Sequence, residues 1–169
     1  ICWGAQAGLY YHYGIPKYKR EKKLSGIYCH KVLHHKVSLV RGMDDYVMAP
    51  HSRYTEVRRR DIERHPDLNI LAESEEAGVL LIIKEDGSQV FVQGHPEYDR
   101  MTLNNEYHRD LEKGLSPEVP CNYYEDNDPF GRPVLSWRNV CNTLYANWLN
   151  YYVYQTTNYI LDEIPEEGV

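Results

Sequence analysis

The sequence predicts an α/β fold that carries its reactive groups at strand ends, and three observations point there. Two apolar runs flank Asp86-Gly87 in "VLLIIKEDGSQVFVQG", a strong hairpin signal. Trp137, Val140, Cys141, Leu144, Trp148, Tyr151 and Tyr152 recur at helical spacing. Short strand-like runs pass directly into segments that hold His and Cys, the arrangement in which α/β proteins place their sites. At 169 residues, 42% of them hydrophobic and 26% charged, the chain fits one domain.

The elements follow in order. Ala5 to Tyr13 has helix-forming composition, and Gly14 and Pro16 end it. "KYKREKKLSG" reads as a basic loop, and "GIYCHKVLHHKVSLV" as one or two strands rich in β-branched and aromatic residues. "MAPHSRYTEV" reads as a loop leading into a charged helix that Pro66 stops. In that helix Glu56 with Arg60 and Arg59 with Glu63 have the spacing of ion pairs one turn apart. "LNILAES" is a short strand, and the hairpin follows it.

Beyond the hairpin, Thr102 is the expected N-cap and Gly114 the expected stop of a helix with Leu103, Tyr107 and Leu111 on one face. "SPEVPCNYYEDNDPFGRPV" holds too much Pro, Asp and Asn for regular structure and reads as a long ordered loop. From Ser136 to about Asp162 a last helix is expected, its Tyr and Trp content suited to core or subunit contact.

Composition narrows the function. A net charge of −6 disfavours nucleic acid or an anionic membrane as the main partner, and the basic cluster "VRRRDIER" is interleaved with acids. No run approaches the roughly 18 apolar residues of a membrane span. Cys2, Cys29, Cys121 and Cys141 stand far apart with no CxxC pair, so they read as reduced thiols. His30, His34 and His35 have lysines among them and no carboxylate at ligand spacing, so no metal site is expected. No dinucleotide or P-loop fingerprint is present.

Two segments carry chemistry. In "ICWGAQAG" a cysteine precedes small residues and a helix, the pattern of a turn that lifts a nucleophile above a sheet. At a helix N-terminus the dipole favours the thiolate. In "VFVQGHPEYD" His95 and Glu97 follow an apolar strand, with Pro96 stiffening the turn between them. Cys2, His95 and Glu97 are therefore the candidate catalytic set for acyl transfer, with Glu97 orienting the imidazole. Taken singly, each segment also fits a buried structural cysteine or a plain surface turn.

Together "CWGAQAGLYYHYGIP", "APHSRY", "LAESEEAG", "GHPEYD" and "NWLNYYVYQ" resemble the homoserine O-acyltransferase family of methionine biosynthesis, over essentially the whole chain. The resemblance implies a class I glutamine amidotransferase-like fold, a flavodoxin-like three-layer sandwich, here without its N-terminal part. Residues 1–169 would be the C-terminal portion of a single acyltransferase domain, with Ile1-Cys2 at the end of a central strand. It implies that Cys2 carries the acyl thioester, that His95 is the proton acceptor and that Glu97 is the third member. Lys23, Ser52 and Arg109 fall at homoserine-contact positions, where Arg109 can grip a carboxylate through two N–H groups. Cys29 stands where relatives are expected to have an acid or another polar residue.

The resemblance further implies a cytoplasmic enzyme, homodimeric at full length, acting on L-homoserine and acyl-CoA. Acetyl-CoA or succinyl-CoA is the co-substrate and no other cofactor is expected. The elbow "CWGAQAG" resembles the acetyl-using branch more than the succinyl-using one. A glutamine amidotransferase-like cysteine hydrolase would use the same three residues, and a non-catalytic piece of a larger protein is the third reading.

Overall fold

In a computed structural model that describes residues 1–156, the chain forms one five-stranded sheet with helices against both faces. The strands are β1 (Tyr18–Val32), β2 (Tyr46–Glu56), β3 (Leu68–Ser74), β4 (Gly78–Lys84) and β5 (Val90–Val92). They lie in the order β2-β1-β3-β4-β5, and each neighbouring pair is antiparallel. The helices are α1 (Cys2–Tyr13), the single turn α2 (Arg59–Ile62), α3 (Thr102–Glu112) and α4 (Arg138–Trp148). No described helix is long and apolar enough to cross a membrane.

Alternation along the strands builds the layers. Ile70 of β3, Ile82 of β4 and Phe91 of β5 turn to one face and pack with Ala5 and Leu9 of α1. Leu71, Leu81 and Ile83 turn to the other and pack with Val47, Ala49 and Leu144 of α4. A third cluster joins Ile27 of β1, Leu103 of α3, Tyr123, Tyr124 and Trp137. Trp137 is fully buried, and its indole N–H donates to the Tyr98 carbonyl at 3.0 Å, which removes the cost of an unpaired donor.

Two segments expected to be loops are strands. "YKREKK" forms the first part of β1, and "APHSRYTE" forms most of β2. The charges of the first suggested a loop, yet Arg20 and Lys23 turn partly inward from the strand, and Arg20 reaches Glu56 of β2. β2 accommodates Pro50 because it is an edge strand, where a residue without an N–H is tolerated. Glu56 therefore closes β2 and cannot pair with Arg60; the charged helix shrinks to one turn, which keeps the Arg59–Glu63 contact at 2.7 Å.

Other expectations meet smaller changes. The first helix begins at Cys2, ahead of Ala5. Met101 occupies the N-cap position expected of Thr102, and no side chain caps that end. On α3 Leu103 is buried but Leu111 is exposed, and the buried partner on that helix is Asp110. The last helix runs to Trp148 and continues as a π-helical turn over Leu149–Val153; its expected extension to Asp162 passes outside the described residues. The loop after α3 is ordered, with a short 3₁₀ turn over Glu125–Asn127. It lies against β1 at Gly26, where Ile27 N–H donates to the Cys121 carbonyl at 2.8 Å and a Cβ on Gly26 would sit 2.3 Å from that oxygen.

Candidate active site

Cys2 opens α1 with φ 47, a left-handed conformation that a non-glycine residue adopts only under constraint. A strained turn ahead of a helix is a conformation that can hold a side chain forward from the backbone. The side chain is buried and takes a hydrogen bond from His95. Burial pushes the thiol up, but the His95 hydrogen bond and charge, the Trp3 N–H and the Arg53 guanidinium outweigh it, so the pKa lies below the ordinary thiol value.

His95 follows β5 through Gly94. A Cβ on Gly94 would lie 2.8 Å from both the Pro50 carbonyl and Leu80, so a glycine is needed for the chain to pass this close to β2. The His95 N–H then donates to Pro50 O at 2.7 Å, which fixes the imidazole against that strand. His95 Nδ1 lies 2.7 Å from Glu97 Oε1. With Nδ1–H donating to the carboxylate, Nε2 is the nitrogen left to meet the thiol. Burial lowers the imidazole pKa, but the bonds to Cys2 and Glu97 raise it more, up to about 9. The depressed thiol and the raised imidazole each favour the charged form of the other.

The three sequence-predicted contact residues meet one another on a second cluster. Lys23 Nζ lies 2.9 Å from Asp110 Oδ2 and 3.9 Å from Glu106 Oε2. Ser52 Oγ donates to Glu106. Arg109 places Nε and Nη2 on Asp110 Oδ1, at 2.9 and 2.7 Å. Lys23 and Arg109 together hold the Asp110 carboxyl below its usual range despite some desolvation. A cleft of about 350 Å³ opens beside this cluster, lined by Lys23, Tyr54 and Tyr107 but not by Cys2 or His95. Tyr98 joins the two clusters, since its ring stacks on His95 and its hydroxyl donates to Glu106 Oε1 at 2.9 Å.

Behind the site β2 presents a buried polar row. Arg53 donates to the carbonyls of Thr55 and Ala77, and its Nε points at His51 Nδ1 across 3.4 Å. His51 Nε2 in turn meets His30 Nε2 at 3.0 Å. Arg53 can only donate, so His51 carries its proton on Nε2 and His30 accepts on Nε2. Burial drives the His30 pKa down to about 4 and that of His51 well below the ordinary range. His30 is thus a core residue, and Cys29 beside it is exposed. All four cysteines are free thiols.

A sequence profile of the family described as homoserine O-succinyltransferase matches residues 1–159. The chain belongs to the homoserine O-succinyltransferase family. Its curated relatives include proteins named homoserine O-acetyltransferase, at 61% identity in Lachnoclostridium phytofermentans, 60% in Agathobacter rectalis and 58% in Lachnospira eligens. The matches cover 95%, 94% and 96% of this chain but 54%, 51% and 53% of those proteins, so the chain spans about half their length.

Solved structures of glutamine amidotransferases share the fold. The one from Methylobacillus flagellatus aligns over 88% of this chain and 60% of its own, with a TM-score of 0.57 at 14% identity. The one from Thermotoga maritima aligns over 69% and 48%, with a TM-score of 0.53 at 20% identity. The expected class I glutamine amidotransferase-like fold is therefore that of this homoserine O-succinyltransferase family member.

Tyr98, Glu106, Asp110 and Arg53 were not singled out from the sequence. Glu106 and Asp110 do carry a signal, since they are one helical turn apart and share a face of α3. Arg53 sits within "APHSRY", where the expectation of a loop concealed that it points inward from a strand.

Proposed function

We propose that the intact protein transfers the acetyl group of acetyl-CoA to the hydroxyl of L-homoserine through a thioester on Cys2. The observation that carries this reading is the coupling of Cys2 to His95 and of His95 to Glu97, joined by Tyr98 to a cluster of fixed charges suited to an amino acid.

The chemistry runs in two transfers. The thiolate of Cys2 attacks the thioester carbonyl of acyl-CoA, and the imidazolium of His95 gives its proton to the departing CoA sulfur. Acylation removes the anion that helped to raise the His95 pKa, so the imidazole becomes neutral when a base is next required. His95 then takes the proton of the homoserine hydroxyl, whose oxygen attacks the Cys2 thioester, and the proton passes back toward the sulfur as the product leaves. Glu97 holds the ring and stabilises its cationic form. Arg109 faces the homoserine carboxylate, Glu106 and Asp110 suit its ammonium group, and Lys23 and Ser52 hold those acids in place.

The choice of acetyl over succinyl is supported by the resemblance of "CWGAQAG" to the acetyl-using branch and by the names of the relatives at 58% to 61% identity. The reading extends to a cytoplasmic homodimer, with residues 1–169 as the C-terminal portion of one acyltransferase domain and with no cofactor besides acyl-CoA. Steady-state rates on the intact protein test it. Homoserine should be acylated with a higher kcat/KM for acetyl-CoA than for succinyl-CoA, and glutamine should not be hydrolysed. A higher value with succinyl-CoA reverses the donor, and glutamine hydrolysis without homoserine acylation moves the protein to the amidotransferase chemistry of its fold neighbours.

A further inference from the structure

We propose that Gln6 is a positioning residue for the Cys2 thiol, acting through Thr55 of β2. The inference rests on the reading of Cys2 as the nucleophile.

Gln6 lies one helical turn beyond Cys2, so the two share a face of α1. Its carboxamide is 1% exposed, and a group so buried must find hydrogen-bond partners. Both ends find them on one residue. Gln6 Nε2 donates to the Thr55 carbonyl at 3.2 Å, and Thr55 Oγ1 donates to Gln6 Oε1 at 2.6 Å. Two bonds of opposite sense fix both the rotation of the helix and its slide along the strand. Near Cys2 the packing of α1, Ala5 and Leu9 against Phe91 and its neighbours, is apolar and carries little directional preference, and a further polar tie lies at the far end of the helix, where the Tyr13 hydroxyl donates to Gln89 Oε1 at 2.7 Å. Ile1 provides no side-chain cap that could fix the helix start instead.

Thr55 lies on the strand that also holds His95. Pro50 O accepts the His95 N–H at 2.7 Å, so the nucleophile and the base are both set by β2, one through Thr55 and the other through Pro50. Arg53 stands between them and donates through Nη1 to the same Thr55 carbonyl at 2.6 Å, bracing the acceptor that Gln6 uses. The charged and titratable groups acting on Cys2 are His95 and Arg53, whereas Gln6 and Thr55 are neutral. Removing the Thr55 hydroxyl changes no charge at the site, so any change in the thiol reports a change in placement.

The test compares Thr55→Val, Thr55→Ser and Gln6→Met with the wild-type intact protein. Two quantities are measured: the pH dependence of Cys2 alkylation by iodoacetamide, and the rate of homoserine acylation. Thr55→Val and Gln6→Met should shift the alkylation midpoint upward and slow acylation roughly 10- to 100-fold, the scale of a misplacement on the order of 1 Å. Thr55→Ser should restore both, because it returns the hydroxyl. A folded Thr55→Val or Gln6→Met protein with wild-type midpoint and rate overturns the proposal, as does a Thr55→Ser protein that behaves like Thr55→Val. The alkylation profile reads the thiol without turnover, so it decides the point even if acyl transfer proves to use another residue.

Discussion

The Tyr98 ring stacks on the His95 imidazole with centroids 4.1 Å apart and planes 20° apart, while its hydroxyl donates to Glu106. One side chain thus touches both the proton carrier and the polar cluster, and its two ends can be separated by mutation. Tyr98→Phe keeps the stacked ring and removes one hydrogen bond from Glu106. The homoserine KM should rise about 2- to 10-fold, as expected for one lost bond, with Cys2 acylation nearly unchanged. Steady-state kinetics alongside single-turnover acylation separates the two. An equal loss in both would mean that the hydroxyl acts on the triad.

The thiol and the imidazole lean on each other. Against burial, His95 lowers the Cys2 pKa, and Cys2 together with Glu97 raises that of His95 to about 9. In the wild type, Cys2 should alkylate with a midpoint below that of an ordinary thiol. In His95→Gln the imidazolium is gone while the burial remains, so the midpoint should rise. A midpoint that does not move between the two proteins would show that the pair is not coupled.

Arg109 should act on homoserine and not on the acyl donor. Its Nε and Nη2 are held by Asp110, which leaves Nη1 without a protein partner among the described residues and free for a carboxylate. Its side chain is 51% exposed, so the solvent-screened contact belongs at the low end for a charged pair. Arg109→Ala should weaken homoserine use on the order of tenfold and leave acylation by acyl-CoA intact. Slowed acylation at an unchanged homoserine KM would refute this.

The buried His30–His51 pair should make the fold acid-sensitive in a defined window. Above about pH 6.5 the imidazoles are neutral in both folded and unfolded chains and contribute no slope. As the pH falls below that value the unfolded chain takes up protons that the folded one refuses until about pH 4 at His30. Stability is therefore lost across this interval, on the order of 3 kcal/mol for His30 alone. Denaturant unfolding of the intact protein at several pH values checks it. His30→Gln cannot ionise and should flatten part of the slope, and an unchanged slope would show that the pair is not the source of the acid sensitivity.

How much was legible depended on whether a residue's role was local. Cys2 before small residues, and His95 and Glu97 around one proline, are local patterns, and the structure brings these three together. The hairpin around Asp86-Gly87 is local in the same way. The first half of β1 and most of β2 read as loops, the former because of the lysines in "KREKK", and only the pairing of the two strands overrides that preference. Lys23, Ser52 and Arg109 were legible only through family resemblance. Their partners Glu106 and Asp110 required knowing that α3 lies across β1 and β2.

The proposed reaction turns on Cys2 as the carrier of the acyl group. The most direct measurement mixes the intact protein with acetyl-CoA in the absence of homoserine and locates the added mass by peptide mass spectrometry. One acetyl adduct is expected on the peptide containing Cys2, discharged when homoserine is added and absent in Cys2→Ser. An adduct on another residue, or a Cys2→Ser protein that acylates homoserine at the wild-type rate, would contradict it.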